Sequence, residues 1–245
     1  KTIGVIGTGN VGSLVANIAL DMGMKVYGYD PYLSVNAAWR VSRHVIRVDQ
    51  LDTLLKNCDY ITIHTPLTDE TRGMINAERI SKMKDGVRII NYARGEVVDE
   101  DAIIEALHSG KVARFVADFP TARLIKEPNV ILTPHLGGTT VEAEANCALM
   151  AAEEMDDYLR NGNIKNSVNL PDLHLDRSGI ARICIIHRNL PGMLTTLLPI
   201  FAKDQVNIEN MTNKSRGEYA YSVFDLNTEV DDTVVAELKA VDGVL

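Results

Sequence analysis

The chain has 245 residues, of which 46% are hydrophobic and 24% charged, and its formal net charge is -8. That length suits one large domain or two smaller ones, and that composition suits a globular fold with a substantial core. The acidic balance, with no Lys/Arg-rich stripe, excludes a nucleic-acid footprint, and no apolar run reaches the roughly 18 residues of a membrane span. Cys58, Cys147 and Cys184 are odd in number and lack paired spacing. They give neither a disulfide framework nor a metal motif, and they fit reduced thiols in the cytoplasm.

The sequence opens at once on a buried-strand pattern and stops as abruptly at Val244-Leu245. Both ends are therefore expected to be cut points in a longer natural chain. Strand-like runs lie at 2–6, 25–29, 60–63, 87–91, 112–117 and 130–132. They are continuously apolar rather than alternating, as parallel strands covered on both faces should be. Helical patterns at 11–22, 51–56, 77–83 and 100–109 separate them. The alternation predicts an α/β fold with a doubly wound, Rossmann-like parallel sheet.

A long helix is predicted over 141–160, ending at Asn161-Gly162, and the aperiodic polar stretch 162–179 reads as a linker. Beyond it the pattern changes to a strand at 181–186, a turn at Pro191-Gly192, and a helix to about Lys203. Strands at 206–211 and 219–226 and a helix from Asp231 follow. This βαββα order is a small ferredoxin-like α+β unit with its last strand missing. The implied organisation is a dinucleotide-binding domain over 1–160, a linker over 161–179 and a second domain over 180–245.

Gly7-Thr8-Gly9-Asn10-Val11-Gly12 is a complete G-x-G-x-x-G between a buried strand and a helix. The first glycine permits the tight turn, and the second lets backbone approach a pyrophosphate. The third lets helix and strand pack closely, so that helix N-terminal amides face the phosphates. Asp30 closes the second strand, where a carboxylate can accept from the ribose hydroxyls of NAD and would repel the 2′-phosphate of NADP.

Three further motifs follow successive strands: His64-Thr65-Pro66-Leu67-Thr68, Asn91-Tyr92-Ala93-Arg94-Gly95 leading into Val98-Asp99, and Thr133-Pro134-His135-Leu136-Gly137-Gly138. With the glycine turn, their order over residues 1–160 resembles the D-2-hydroxyacid dehydrogenase family. The resemblance implies that Arg94 binds the substrate carboxylate and polarises the reacting carbonyl, and that His135 is the acid/base group. A fixed guanidinium fork pairs with a carboxylate through two hydrogen bonds, and an imidazole titrates near neutral pH. It also places Gly7, Gly9, Asn10, Val11, Gly12, Asp30, Thr65, Pro66, Tyr92, Ala93, Arg94, Asp118, His135, Gly137 and Gly138 around NAD, with Asp118 on the nicotinamide side. His44, His64, His108 and His174 read as structural or solvated.

The family normally pairs its histidine with a glutamate a few residues beyond the position of Asp118. Here the count falls on Ala122 or Arg123, neither of which can serve. Glu127 is the nearest carboxylate and the candidate replacement. The family also precedes its glycine-turn domain with a substrate-binding half, so this stretch alone is expected to bind NAD with little turnover.

The C-terminal part resembles an ACT domain. His187, Asn189 and Asn207 match the positions that bind L-serine across a pair of such domains. The combination implies oxidation of 3-phospho-D-glycerate to 3-phosphohydroxypyruvate under serine feedback, by a homodimer or homotetramer. The alternatives are another D-2-hydroxy acid, such as a glyoxylate or hydroxypyruvate reductase would handle, or a non-catalytic sensor of NAD and an amino acid.

Overall fold

The computed structural model describes residues 1–245, apart from the side chain of Asn36. The chain divides into two compact units, Lys1–Gly137 and Gly138–Leu245. The second therefore takes in the helix that the motifs grouped with the first.

The first unit runs β1 (Thr2–Ile6), α1 (Asn10–Asp21), β2 (Lys25–Tyr29), α2 (Val35–Ala38), β3 (Ile46–Arg47), α3 (Leu51–Asn57), β4 (Tyr60–Ile63), α4 (Ala77–Ser81), β5 (Val87–Asn91), α5 (Glu100–His108), β6 (Val112–Ala117) and β7 (Val130–Leu132). Its seven strands form one sheet in the order β3-β2-β1-β4-β5-β6-β7, with parallel pairing throughout. The order reverses between β1 and β4, and the crevice at the carboxyl ends of strands flanking such a reversal is where this architecture binds ligands.

At the centre of the sheet the apolar runs form strands because both faces are covered. Val5, Ile6, Val26, Ile61, Ile63 and Ile89 are all inaccessible to solvent. α1 approaches the sheet through small side chains, with Gly12, Ser13, Ala16 and Ala19 buried. The edge strand β3 and the Ser34-capped turn α2 were not expected. Each is too short to display a period, and both β3 residues are exposed.

The second unit contains α6 (Val141–Asn161), β8 (Ala181–Arg188), α7 (Met193–Lys203), β9 (Ile208–Arg216), β10 (Tyr219–Leu226) and α8 (Asp232–Lys239). α6 begins where the Thr140 hydroxyl accepts from the Ala143 amide and stops at Gly162 in the left-handed region. The sheet is antiparallel in the order β8-β10-β9. β9 runs further than its apolar residues predicted, because the polar segment up to Arg216 continues the hairpin with β10.

Two expectations need correction in this unit. The stretch 162–179 is packed rather than a free linker: Ile164 and Leu173 form a bridge and lie in one buried cluster with Tyr221 and Val223. Isolated apolar residues in a polar segment leave no period to read, yet each finds the sheet. The final strand is also not wholly missing. Val244 bridges His187, and the Arg188 and Leu245 amides donate to Gly243 and Ile186 carbonyls at 2.7 and 3.0 Å, on the edge of β8 away from β10. No helix among the described residues is long and apolar enough to cross a membrane.

Candidate active site

The glycine turn joins β1 to α1. Gly7 has φ +84, and a Cβ there would sit 2.6 Å from the His64 carbonyl oxygen. A Cβ on Gly12 would come within 1.8 Å of the Gly7 oxygen, whereas one on Gly9 would meet nothing within 4 Å. Gly7 and Gly12 are thus required by the protein's own backbone. Gly9 is left open on the side where a ligand's phosphates would come.

This contrast makes a prediction. Gly12→Ala should destabilise the first unit by about 3 kcal/mol through overpacking, read as a lower thermal midpoint. Gly9→Ala should lower that midpoint far less, by only the small cost of an alanine at the N-cap of α1, yet weaken NAD binding about tenfold or more, because the close approach of the pyrophosphate is lost. Equal thermal losses in the two variants would contradict the assignment.

Asp30 follows β2, with Oδ2 accepting from the Thr8 amide at 2.8 Å and Oδ1 from the Tyr32 amide at 3.0 Å. The carboxylate is thereby fixed against the glycine turn. It lines a cavity of about 830 Å³ together with Gly7, Gly9, His64, Thr65 and Pro66, within the size range of cofactor pockets. The Tyr32 hydroxyl donates to Glu70 Oε2 at 2.6 Å, tying two loops of the cavity wall together. Asn10 accepts from Arg40 at 2.5 Å, and Val11 is exposed on the outer face of α1. The roles of Tyr32, Glu70 and Arg40 lay outside the sequence reading, since no motif marks them.

His64 lines the same cavity, and its Nε2 lies 2.9 Å from the Thr62 hydroxyl. Burial pushes its pKa down, which favours a neutral imidazole beside the cavity. Thr65 Oγ1 is buried without a hydrogen-bond partner. A buried orphan hydroxyl is costly unless a ligand completes it.

Arg94 lies on the loop after β5, and Asn91 shapes that loop. The Asn91 amide nitrogen donates to the Arg94 carbonyl at 2.9 Å, and its oxygen accepts from the Ala93 amide at 3.1 Å. Ala93 is buried beneath the loop, while Tyr92 and the Arg94 side chain are exposed.

Asp118 follows β6 and His135 follows β7. His135 Nδ1 lies 2.8 Å from Asp118 Oδ2, and the Phe119 ring packs at 4.7 Å from the imidazole. Asp118 Oδ1 is the second buried atom without a partner, and Asp118 lines a separate cavity of about 500 Å³ with Asn91, Gly95 and Phe119. Gly137 has open space at its Cβ position, as does Gly138, with which the second unit begins.

Glu127 does not face His135. Its Oε2 pairs with His108 Nε2 at 2.8 Å, so the replacement suggested by counting along the chain is not the carboxylate at the imidazole. Arg123 turns to Asp101 at 2.6 Å.

The donors and acceptors fit NAD: a glycine turn with open space at Gly9, a carboxylate fixed beside it, and two buried polar atoms without partners. In the second unit, His187, Asn189, Gly192, Thr195 and Asn213 line a pocket of about 240 Å³. His187 is buried, with Nδ1 donating to the Arg188 carbonyl at 2.8 Å and Nε2 3.0 Å from Ser222 Oγ, which also bonds Asn213 at 2.8 Å. Asn207 does not line this pocket. Its amide donates to Asn227 Oδ1 before the start of β9.

Residues 1–137 match the family model described as the D-isomer specific 2-hydroxyacid dehydrogenase NAD binding domain. The chain belongs to the D-2-hydroxyacid dehydrogenase family. Among its relatives, D-3-phosphoglycerate dehydrogenase 2 of Saccharomyces cerevisiae is 35% identical, covering 93% of this chain and 52% of that protein. D-3-phosphoglycerate dehydrogenase of Haemophilus influenzae is also 35% identical, covering 100% of this chain and 62% of that protein. The NAD-complexed D-isomer specific 2-hydroxyacid dehydrogenase of Lactobacillus delbrueckii ssp. bulgaricus matches with a TM-score of 0.60 and 32% identity, over 69% of this chain and 55% of that one. The chain thus spans roughly half to three-fifths of the length of these relatives.

Proposed function

We propose that this chain is the NAD-binding and regulatory portion of a dehydrogenase that oxidises 3-phospho-D-glycerate to 3-phosphohydroxypyruvate, supplying L-serine biosynthesis in the cytoplasm. The observation that carries the reading is that the glycine turn, Asp30, Arg94 and His135 all lie on loops at the carboxyl ends of the parallel strands. Relatives named D-3-phosphoglycerate dehydrogenase favour this substrate over other D-2-hydroxy acids. NAD, when bound, supplies the hydride acceptor. Arg94 pairs with the substrate carboxylate and draws charge toward the forming carbonyl oxygen. His135 takes the hydroxyl proton as the hydride leaves the same carbon, and returns it in the reverse direction.

Residues 180–245 form an ACT regulatory domain in this reading, with L-serine as effector. The support is the buried His187 beside Asn189 in a pocket at the N-terminal end of α7. Asn207 stands apart from that pocket within one chain, in keeping with a site completed across two copies. The exposed Val141, Leu149, Met155 and Leu159 of α6 support assembly as a homodimer or homotetramer.

The test is NADH formation from NAD and 3-phosphoglycerate by the protein in its full natural length, with and without L-serine. Turnover slowed by serine is the expected result. Absence of turnover in folded, NAD-saturated protein overturns the enzyme reading, and turnover indifferent to serine overturns only the regulatory one.

A further inference from the structure

We propose that Asp118 is the residue that positions His135, in place of the glutamate that the family normally supplies. The catalytic consequence rests on the dehydrogenase reading, whereas the pairing itself stands on geometry. Each other candidate is accounted for: Ala122 has no carboxyl group, Arg123 is turned to Asp101, and Glu127 is held by His108. Asp118 Oδ2 lies 2.8 Å from His135 Nδ1.

An ionised carboxylate can only accept, so this contact places the ring proton on Nδ1 and leaves the lone pair on Nε2. Nε2 is then the nitrogen available to take a substrate proton. Asp118 is one residue past the end of β6, its side chain is only 10% exposed, and Phe119 flanks the same imidazole.

The experiment records the nitrogen resonances of His135 by NMR in the cofactor-free chain labelled with 15N-histidine, near neutral pH. The expected spectrum has a protonated Nδ1 and an unprotonated Nε2. Asp118→Ala should shift His135 toward the Nε2-protonated form. Asp118→Asn, which keeps the shape of the side chain, should move the Nδ1 resonance while retaining the fold, which guards against simple misfolding in the alanine variant. In the full-length enzyme, Asp118→Ala should lower kcat about 100-fold or more, since loss of the carboxylate that fixes a tautomer has effects of that order. Glu127→Gln should change neither the spectrum nor kcat.

An Nε2-protonated His135 in the unsubstituted chain overturns the proposal, as does a spectrum unmoved by both Asp118 variants. A full-length protein without turnover but with the Nδ1-protonated ring would defeat the dehydrogenase reading and support the pairing.

Discussion

His135→Asn is expected to lower kcat about a thousandfold in the full-length enzyme while NAD affinity stays within a few-fold of the parent. Positioned general acid–base groups contribute factors of roughly 10² to 10⁴. Asparagine preserves a polar side chain of modest size but cannot shuttle a proton at neutral pH. Rapid-quench or steady-state kinetics with 3-phosphoglycerate, set beside a calorimetric NAD titration, separates chemistry from cofactor binding. A thousandfold loss in affinity with kcat preserved would place His135 among the cofactor contacts and remove it from the chemistry.

The second large effect lies in the other unit. Arg182→Ala should destabilise it by about 4 kcal/mol, the order expected when one member of a buried ion pair is removed. The Arg182 and Asp225 side chains are only 4% and 0% exposed and meet at 2.6 and 2.7 Å through two nitrogens. Arg182 also donates to the Asn161 and Leu175 carbonyls at 2.6 and 2.9 Å, holding the packed 162–179 stretch against the sheet. Its loss would leave a buried carboxylate with no counter-charge, held only by Ser178, and two carbonyl oxygens without their guanidinium donor. Replacing both partners with apolar residues of similar volume should restore most of the stability, because the penalty comes from the uncompensated charge. Urea denaturation followed by tryptophan-independent far-UV signals would show it, and a loss below 1 kcal/mol would contradict it.

The same pair sets a pH dependence. Burial alone would raise the Asp225 carboxyl, but hydrogen bonds from Arg182 and Ser178 outweigh it and hold the pKa below its ordinary value. A lowered folded-state pKa contributes stability above the unfolded value, and that contribution disappears as pH falls through the folded one. The second unit should therefore lose stability on acidification below the ordinary carboxylate range, and the Asp225→Asn variant should show a flatter acid limb.

Much of this architecture was legible in the sequence for identifiable reasons. Strands β1, β2, β4, β5, β6 and β7 lie where apolar runs placed them; β1 and β4, at the centre of the sheet, are buried almost throughout and need no alternation, whereas the edge strand β7 leaves Ile131 exposed. The glycine turn was legible because its spacing states a backbone requirement: Gly7 and Gly12 leave no room for a Cβ. β3 was not, since two exposed residues carry no pattern. The Asp118–His135 contact joins residues 17 apart through adjacent strand ends, a proximity set by sheet register rather than by any local motif. Glu127 drew attention by proximity along the chain, and the fold sends it to His108 instead.

Whether the Gly7–Gly12 turn and Asp30 hold NAD is read from a titration of the chain with NAD and with NADP. Saturable binding of NAD, much weaker binding of NADP, and a narrowed preference with reduced NAD affinity in Asp30→Ala are the expected results. Equal affinity for the two dinucleotides, or NAD binding unaffected by the loss of Asp30, would contradict that role.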